Sequence, residues 1–242
     1  MSINQKELLE ERRAQRRKQK RLTIIMVVLG AGLIISAALL LLSNTNQVDL
    51  TLNEIVRPDL EQPPLADGAA MGDPEAPVKI INYSDFGCSY CADFAETTEK
   101  QLAESYVANG DVYFEFRSVG PLLGAPVSVQ AAEAAYCAGD QNALYPYKDL
   151  IFANQRQLFI NVEADIAPTL VTFAQLLELD EEQFSDCLDS GKYSDRVAQD
   201  EVDARQAGVQ GTPSFLVNGE LLRGNQPFAN FQQIIQQELA AE

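Results

Sequence analysis

Apolar positions along this chain fall into three kinds of pattern. The first is an unbroken run. Residues 22–42 contain no charged side chain over 21 positions, and a helix of about 20 such residues crosses a hydrocarbon core of roughly 30 Å. The second is strand-like. Apolar side chains dominate 78–83 and alternate with polar ones in 112–116, so both segments read as β-strands. The third is helical spacing: a stretch beginning at Cys88 runs through Phe94, Leu102 and Tyr106 and stops at Asn109-Gly110, a C-terminal signal. Strand, helix, strand in this order predicts a parallel pair with a right-handed crossover. Further helices are predicted over 127–138, 145–154, 167–177, 181–188 and 194–207. Then 214–217 and 220–223 read as two strands joined by Asn218-Gly219, a hairpin turn signal. A last helix spans 228–240, with Phe228, Phe231, Ile234, Ile235 and Leu239 at its apolar positions. The order is β-α-β, a helical insert, then β-β-α.

Four regions follow: a basic segment at 1–21, a membrane helix at 22–42, a polar, proline-containing tether at 43–71, and one domain at 72–242 with its insert at about 122–207. Within the tether, 48–52 reads as an extra edge strand. A cleaved signal peptide is the competing reading of 22–42. Its apolar core would be about 7–15 residues and would end in a small-residue cleavage site. This run is longer, and Ser43-Asn44-Thr45-Asn46 offers no such site.

Charge changes abruptly along the chain. Residues 1–21 hold eight basic and three acidic side chains, so the positive-inside tendency predicts a cytoplasmic N-terminus and an extracytoplasmic domain. The remainder holds 10 basic and 32 acidic residues, a surface that repels nucleic acid. The chain has no histidine. Ser-His-Asp and Cys-His hydrolysis are therefore excluded, and a common zinc ligand is missing.

Four cysteines carry the remaining chemistry. Cys88 and Cys91 form a Cys-x-x-Cys pair where a strand gives way to a helix. The positive end of the helix dipole and the free backbone N–H groups there stabilise a thiolate on Cys88. Cys91 lies one turn on, within reach of a reversible bond. Zinc modules also use this spacing, but Cys137 and Cys187 are 46 and 96 residues beyond Cys91 and make no second ligand pair, so no metal is expected. Gly211-Thr212-Pro213 directly precedes the third strand; a proline there is either an ordinary trans residue or a cis turn beside the dithiol. In an oxidising compartment Cys137 and Cys187 are expected to form a structural disulfide, the alternative being two buried thiols. A loop of about 50 residues closed in this way gains roughly 4 kcal/mol in the chain-entropy account.

Several separated motifs resemble the DsbA-like thioredoxin-fold thiol–disulfide oxidoreductases, in particular their membrane-anchored bacterial type. They are Gly72-Asp73-Pro74-Glu75-Ala76-Pro77-Val78 at the start of the domain, Tyr83-Ser84-Asp85-Phe86-Gly87-Cys88-Ser89-Tyr90-Cys91, and Gly208-Val209-Gln210-Gly211-Thr212-Pro213-Ser214-Phe215. The sequences around Cys137 and Cys187 match the family's helical subdomain. The resemblance implies an α/β thioredoxin-like fold with a helical insertion. It also implies a nucleophilic Cys88, a resolving Cys91, and a substrate-contacting cis-proline loop at Thr212 and Pro213. No cofactor is implied. The implied partners are exported thiol-containing polypeptides and a quinone-linked membrane oxidase of the DsbB or VKOR kind. One departure stands out: Ser-Tyr separates the cysteines where the strongest oxidant of the family has Pro-His. Without that imidazole, a less oxidising pair is expected. The direction of electron flow stays open, with a membrane-tethered reductase as the rival and a redox-inactive chaperone or assembly module as the outsider.

Overall fold

The computed structural model describes residues 47–120 and 125–241, together with positions 26, 27, 29–32 and 36. It divides into two units, Met1–Asn46 and Gln47–Glu242, and the second is described below. The expected membrane helix at 22–42 lies largely outside the described residues. Among the described residues no helix is long and apolar enough to cross a membrane.

Six strands form one sheet. In chain order they are β1 (Ala66–Asp67), β2 (Ala70–Met71), β3 (Val78–Ser84), β4 (Val112–Ser118), β5 (Ser214–Val217) and β6 (Glu220–Arg223). Their spatial order is β1-β2-β4-β3-β5-β6. β3 and β4 run parallel in register, Val78 opposite Val112 through Ser84 opposite Ser118, as the strand–helix–strand pattern predicts. The β2–β4, β3–β5 and β5–β6 pairs are antiparallel. The β1–β2 hairpin has no counterpart in the sequence reading, because strands of two residues carry no period to read.

The crossover between β3 and β4 is a helical rod, α1. It runs as Ser89–Phe94, Ala95–Glu99, Lys100–Leu102 and Ala103–Val107. Its second and fourth pieces have the wider π winding, seen where the Ala108 N–H reaches the Ala103 carbonyl at 2.9 Å. Such widenings recur at functional sites. The insert contributes α2 (Pro126–Gly139), α3 (Leu144–Ala153), α4 (Gln155–Leu158), α5 (Ala167–Leu176), α6 (Glu181–Asp189) and α7 (Ser194–Gln206), and α8 (Phe228–Ala240) closes the domain. Proline opens α2, where its missing N–H removes no helical bond. Ala131, Ala132, Ala134, Ala135 and Ala138 are buried along α2, and these small side chains let the neighbouring elements approach closely.

Two apolar layers flank the sheet. On one face Phe94 of α1 packs against Phe215 at 4.6 Å between ring centroids, Phe231 at 5.7 Å and Phe114 at 6.4 Å. This cluster ties the helix that carries the cysteines to β4, β5 and α8. On the other face Tyr83, Val119, Ala204 and Val209 form a smaller layer. There Arg117 of β4 binds Asp203 of α7 at 2.9 Å and Glu115 at 3.0 Å. Tyr136 of α2 donates a short hydrogen bond to the buried Asp200 of α7 and accepts one from the Ser118 N–H at 3.1 Å. The insert is thereby fastened to the sheet by polar bonds that are satisfied on both sides.

The segment 48–52 is not an edge strand, which corrects the sequence reading. Only Gln47 forms a bridge, parallel to Asp165. Beyond it, Thr169 of α5 takes over both roles of a strand partner: its Oγ1 accepts from the Leu50 N–H at 2.9 Å and donates to the Val48 carbonyl at 2.7 Å. Alternating Val48 and Leu50 pack on the core from this side, so the period is real but its partner is a helix. The proline-containing stretch that follows is strapped down as well. Asn154, fully buried, closes a pair of 2.8 Å bonds on the N–H and carbonyl of Val56.

Phe94 is the aromatic contact shared by sheet, cysteine helix and α8. Phe94→Ala is expected to cost about 3–5 kcal/mol in urea unfolding of the reduced protein. A loss under about 1 kcal/mol would show that the helix is held elsewhere.

Candidate active site

The active-site loop begins where β3 ends. The Asp85 carboxylate folds back on its own chain, Oδ1 accepting from the Gly87 N–H at 2.8 Å, and its carbonyl accepts from the Cys88 N–H at 3.0 Å. This is an Asx turn. It swings the chain so that Cys88, with φ −87° and ψ 118°, becomes the N-cap of α1. The Cys88 carbonyl then takes the first helical bonds, from Cys91 N–H at 3.1 Å and Ala92 N–H at 3.2 Å.

The insert holds this loop from the outside. Ser128 of α2 donates to Asp85 Oδ1 at 2.7 Å, and Gln155 of α4 donates to the Phe86 carbonyl at 2.6 Å. Phe86 is buried between Phe152 and Phe116, with ring centroids 5.0 and 5.6 Å away. A Cβ at Gly87 would sit 3.1 Å from the Phe159 ring, tighter than ordinary van der Waals contact, so glycine keeps the loop in place.

Both cysteines are free thiols in the structure, in unlike surroundings. Cys88 is half-buried and Cys91 is buried. The Thr212-Pro213 peptide is cis, and it brings the Thr212 carbonyl to 3.3 Å from Cys88 Sγ. The two segments read separately from the sequence, Cys88-Cys91 and Thr212-Pro213, are therefore one site, 124 residues apart in the chain. Cys137 and Cys187 are elsewhere, in a disulfide that joins α2 to α6 with 5.9 Å between Cα atoms.

Electrostatics separate the two sulfurs further. The Cys88 thiol is pulled down from its ordinary 9.0 to about 6, first by the hydrogen bond from Cys91, then by the Thr212 side chain and the N–H groups of Cys91 and Tyr90, against the opposing effect of partial burial. The Thr212 carbonyl favours the protonated thiol, but three kinds of donor outweigh it. Cys91 moves the other way. Burial pushes its thiol well up, and so do its hydrogen bond to Cys88 and the negative charge there; Ser84 and the Asp85 N–H oppose this only in part. One sulfur is an accessible anion at neutral pH while its partner keeps the proton. Such a pair can exchange bonds with a third sulfur at Cys88 and release it by attack from Cys91.

Asp85 and its holders Ser128 and Gln155 escaped the sequence reading. Asp85 has a legible local signal, an Asp two residues ahead of a glycine. Ser128 and Gln155 have none, because they approach from the insert. Asp85 is fully buried, its Oδ2 has no hydrogen-bond partner among the described residues, and burial raises its pKa.

Sheet order, inserted helices, helix-capping dithiol and facing cis-proline together define a thioredoxin-fold protein with a reactive cysteine pair. Residues 66–237 match the family model described as Thioredoxin. The chain is 31% identical over 175 residues to a probable disulfide bond formation protein D of Bacillus cereus, an alignment covering 70% of this chain and 78% of that one. It belongs to the thioredoxin family, and its fold is of the DsbA type with a helical insert. It is also 36% identical over 154 residues to a Na(+)/H(+) antiporter, NhaA 3, of Salinispora tropica. That match takes in 63% of this chain and spans about a fifth, 22%, of the antiporter's length. Among solved structures it superposes on oxidised BdbD from Bacillus subtilis with a TM-score of 0.62 and 21% identity, covering 74% of this chain and 96% of that one. That similarity is one of fold.

The Cys88 pKa has a direct readout. Alkylation of the reduced protein by iodoacetamide is expected to rise with pH and reach half its maximum near pH 6; a midpoint at pH 8 or above would contradict the donor arrangement. Because the folded pKa lies below the ordinary 9.0, the thiolate's stabilisation of the reduced domain is complete above about pH 9 and gone below about pH 6. Unfolding of the reduced domain, compared with the oxidised one across that window, measures it.

Proposed function

We propose that this protein is an extracytoplasmic thiol–disulfide oxidoreductase that introduces disulfides into exported polypeptides. Residues 22–42 anchor it and 1–21 remain in the cytoplasm. The observation that carries the reading is the asymmetry of the pair: Cys88 is pulled down to about 6 beside Thr212, while Cys91 is buried and pushed up. A thiolate that stable is a good leaving group and favours the reduced pair, which is what an electron acceptor requires.

The cycle starts from the Cys88–Cys91 disulfide. A substrate thiolate attacks Cys88 Sγ, and the S–S bond breaks toward Cys91, whose sulfur leaves with the electron pair and takes up a proton. A second substrate thiolate then attacks the substrate sulfur of the mixed disulfide, and Cys88 departs as thiolate. The substrate has lost two electrons and two protons, and the pair has gained the electrons. A quinone-linked membrane oxidase of the DsbB or VKOR kind restores the disulfide. The backbone at Thr212 and Pro213 supports an extended substrate segment as an added strand. Tyr90 is exposed inside the Cys-x-x-Cys, and Ile160 is 81% exposed next to Phe159, whose ring a side chain at position 87 would meet. Both offer apolar surface to an unfolded chain.

Three measurements test this. The full-length protein is expected to oxidise a reduced, unfolded protein. Cys88→Ser is expected to abolish that activity, and Cys91→Ser to accumulate mixed disulfides. Equal activity of wild type and Cys88→Ser ends the enzymatic reading. The reduction potential is expected on the oxidant's side of about −200 mV, between about −270 mV for a thioredoxin and about −120 mV for the strongest oxidant. A value near the thioredoxin end assigns the reductase role instead. In intact cells, a membrane-impermeant maleimide is expected to label Cys88 after mild reduction, and protection until lysis would contradict the orientation.

A further inference from the structure

On the strap side of α1, away from Cys88, lies an ionic cluster that the exchange chemistry does not use. Lys148 of α3 is 1% exposed, and its Nζ binds Glu99 of α1 at 2.9 Å and Asp149 at 2.8 Å. Two carboxylates share one ammonium, so the cluster carries one net negative charge. Glu99 Oε1 has that ammonium; Oε2 is buried and has no hydrogen-bond partner among the described residues. Burial of a carboxylate oxygen without a donor costs several kcal/mol. The two partners respond differently: burial raises the Glu99 pKa, whereas the paired carboxylates hold Lys148 firmly charged. The cluster lacks one positive charge.

Glu99 and Asp149 line a cavity of about 130 Å³ roofed by the strap. Its rim adds Asp59, Glu61 and Glu104 against the single Lys100. A larger groove of about 520 Å³ shares Asp59, Lys100 and Asp149 with it and reaches Ala92, the residue after Cys91.

We propose that this cavity receives the cationic end of an arginine or lysine side chain on a polypeptide bound along α1, its charge supplying the positive charge that the Glu99–Lys148–Asp149 cluster lacks. The charge of the lining selects a cation. A chelated metal ion is the poorer fit, since no group of three or more acidic, cysteine or histidine side chains converges on one point among the described residues. The cavity has room for the cationic end of a side chain, and the groove supplies the path for the rest of the chain. That the occupant is a polypeptide rests on the oxidoreductase reading above; the cation site rests on the cavity alone.

Binding without turnover separates the two. The probe is acetyl-Ala-Arg-Ala-amide, titrated into the reduced full-length protein by NMR, against the same peptide with neutral, isosteric citrulline for arginine. The arginine peptide is expected to bind at least about tenfold more tightly and to shift signals of Ala103 and Tyr145, which line the cavity. Glu99→Gln is expected to remove that tenfold preference. Should Glu99→Gln fail to fold, the exposed pair Asp59→Asn/Glu61→Gln is expected to weaken arginine binding about threefold and leave citrulline unchanged. Equal binding of the two peptides, arginine binding that survives Glu99→Gln in a folded variant, or shifts that map elsewhere would overturn the proposal, whatever the outcome of the oxidation assay.

Discussion

Two sulfurs three residues apart differ in almost every physical respect, and the rest of the structure serves to keep them different. Cys88 sits at the mouth of α1, where backbone donors are unpaired by helix geometry. Cys91 sits one turn inside, against the core. If both were exposed, neither would be the preferred point of attack; if both were buried, no partner would reach them. The position of α1 sets this difference, and Phe94, wedged among Phe114, Phe215 and Phe231, sets the position of α1.

The helical insert acts on the site directly. Ser128 and Gln155 hold the Asp85–Gly87 turn by hydrogen bonds, and the Phe159 ring leaves no room for a side chain at Gly87 without a shift. Without them the turn would hang from the end of β3 with only its own Asx bond to shape it. The strap is linked to the same corner: Asn154, which pairs with Val56, directly precedes Gln155, which pairs with Phe86. Strap, insert and dithiol loop are consecutive links of one hydrogen-bonded chain.

The missing imidazole is the point where residue identity and structure give different weights. Ser-Tyr between the cysteines leaves out a histidine that would help stabilise the thiolate, and the sequence reading expects a less oxidising pair on that ground. The Cys88 thiol is nevertheless drawn down to about 6 by several modest donors: Cys91, Thr212 and two backbone N–H groups. Hydrogen bonds to the charged form do what a neighbouring cation would do.

Local chemistry and periodicity determined the element order, the parallel β3–β4 pair, the hairpin at Asn218-Gly219 and the candidacy of each cysteine, because period and turn residues are properties of neighbouring positions. Asp85-Phe86-Gly87 was legible for the same reason, had its turn been read. Tertiary structure alone decided that Thr212 faces Cys88 across 124 residues, that Ser128 and Gln155 steady the loop, that 48–52 pairs with a helix and not a sheet edge, and that Glu99 Oε2 is buried without a hydrogen-bond partner among the described residues. Each of these is a distance between segments remote in the chain. Such distances follow from how whole faces pack, which no run of neighbouring residues encodes.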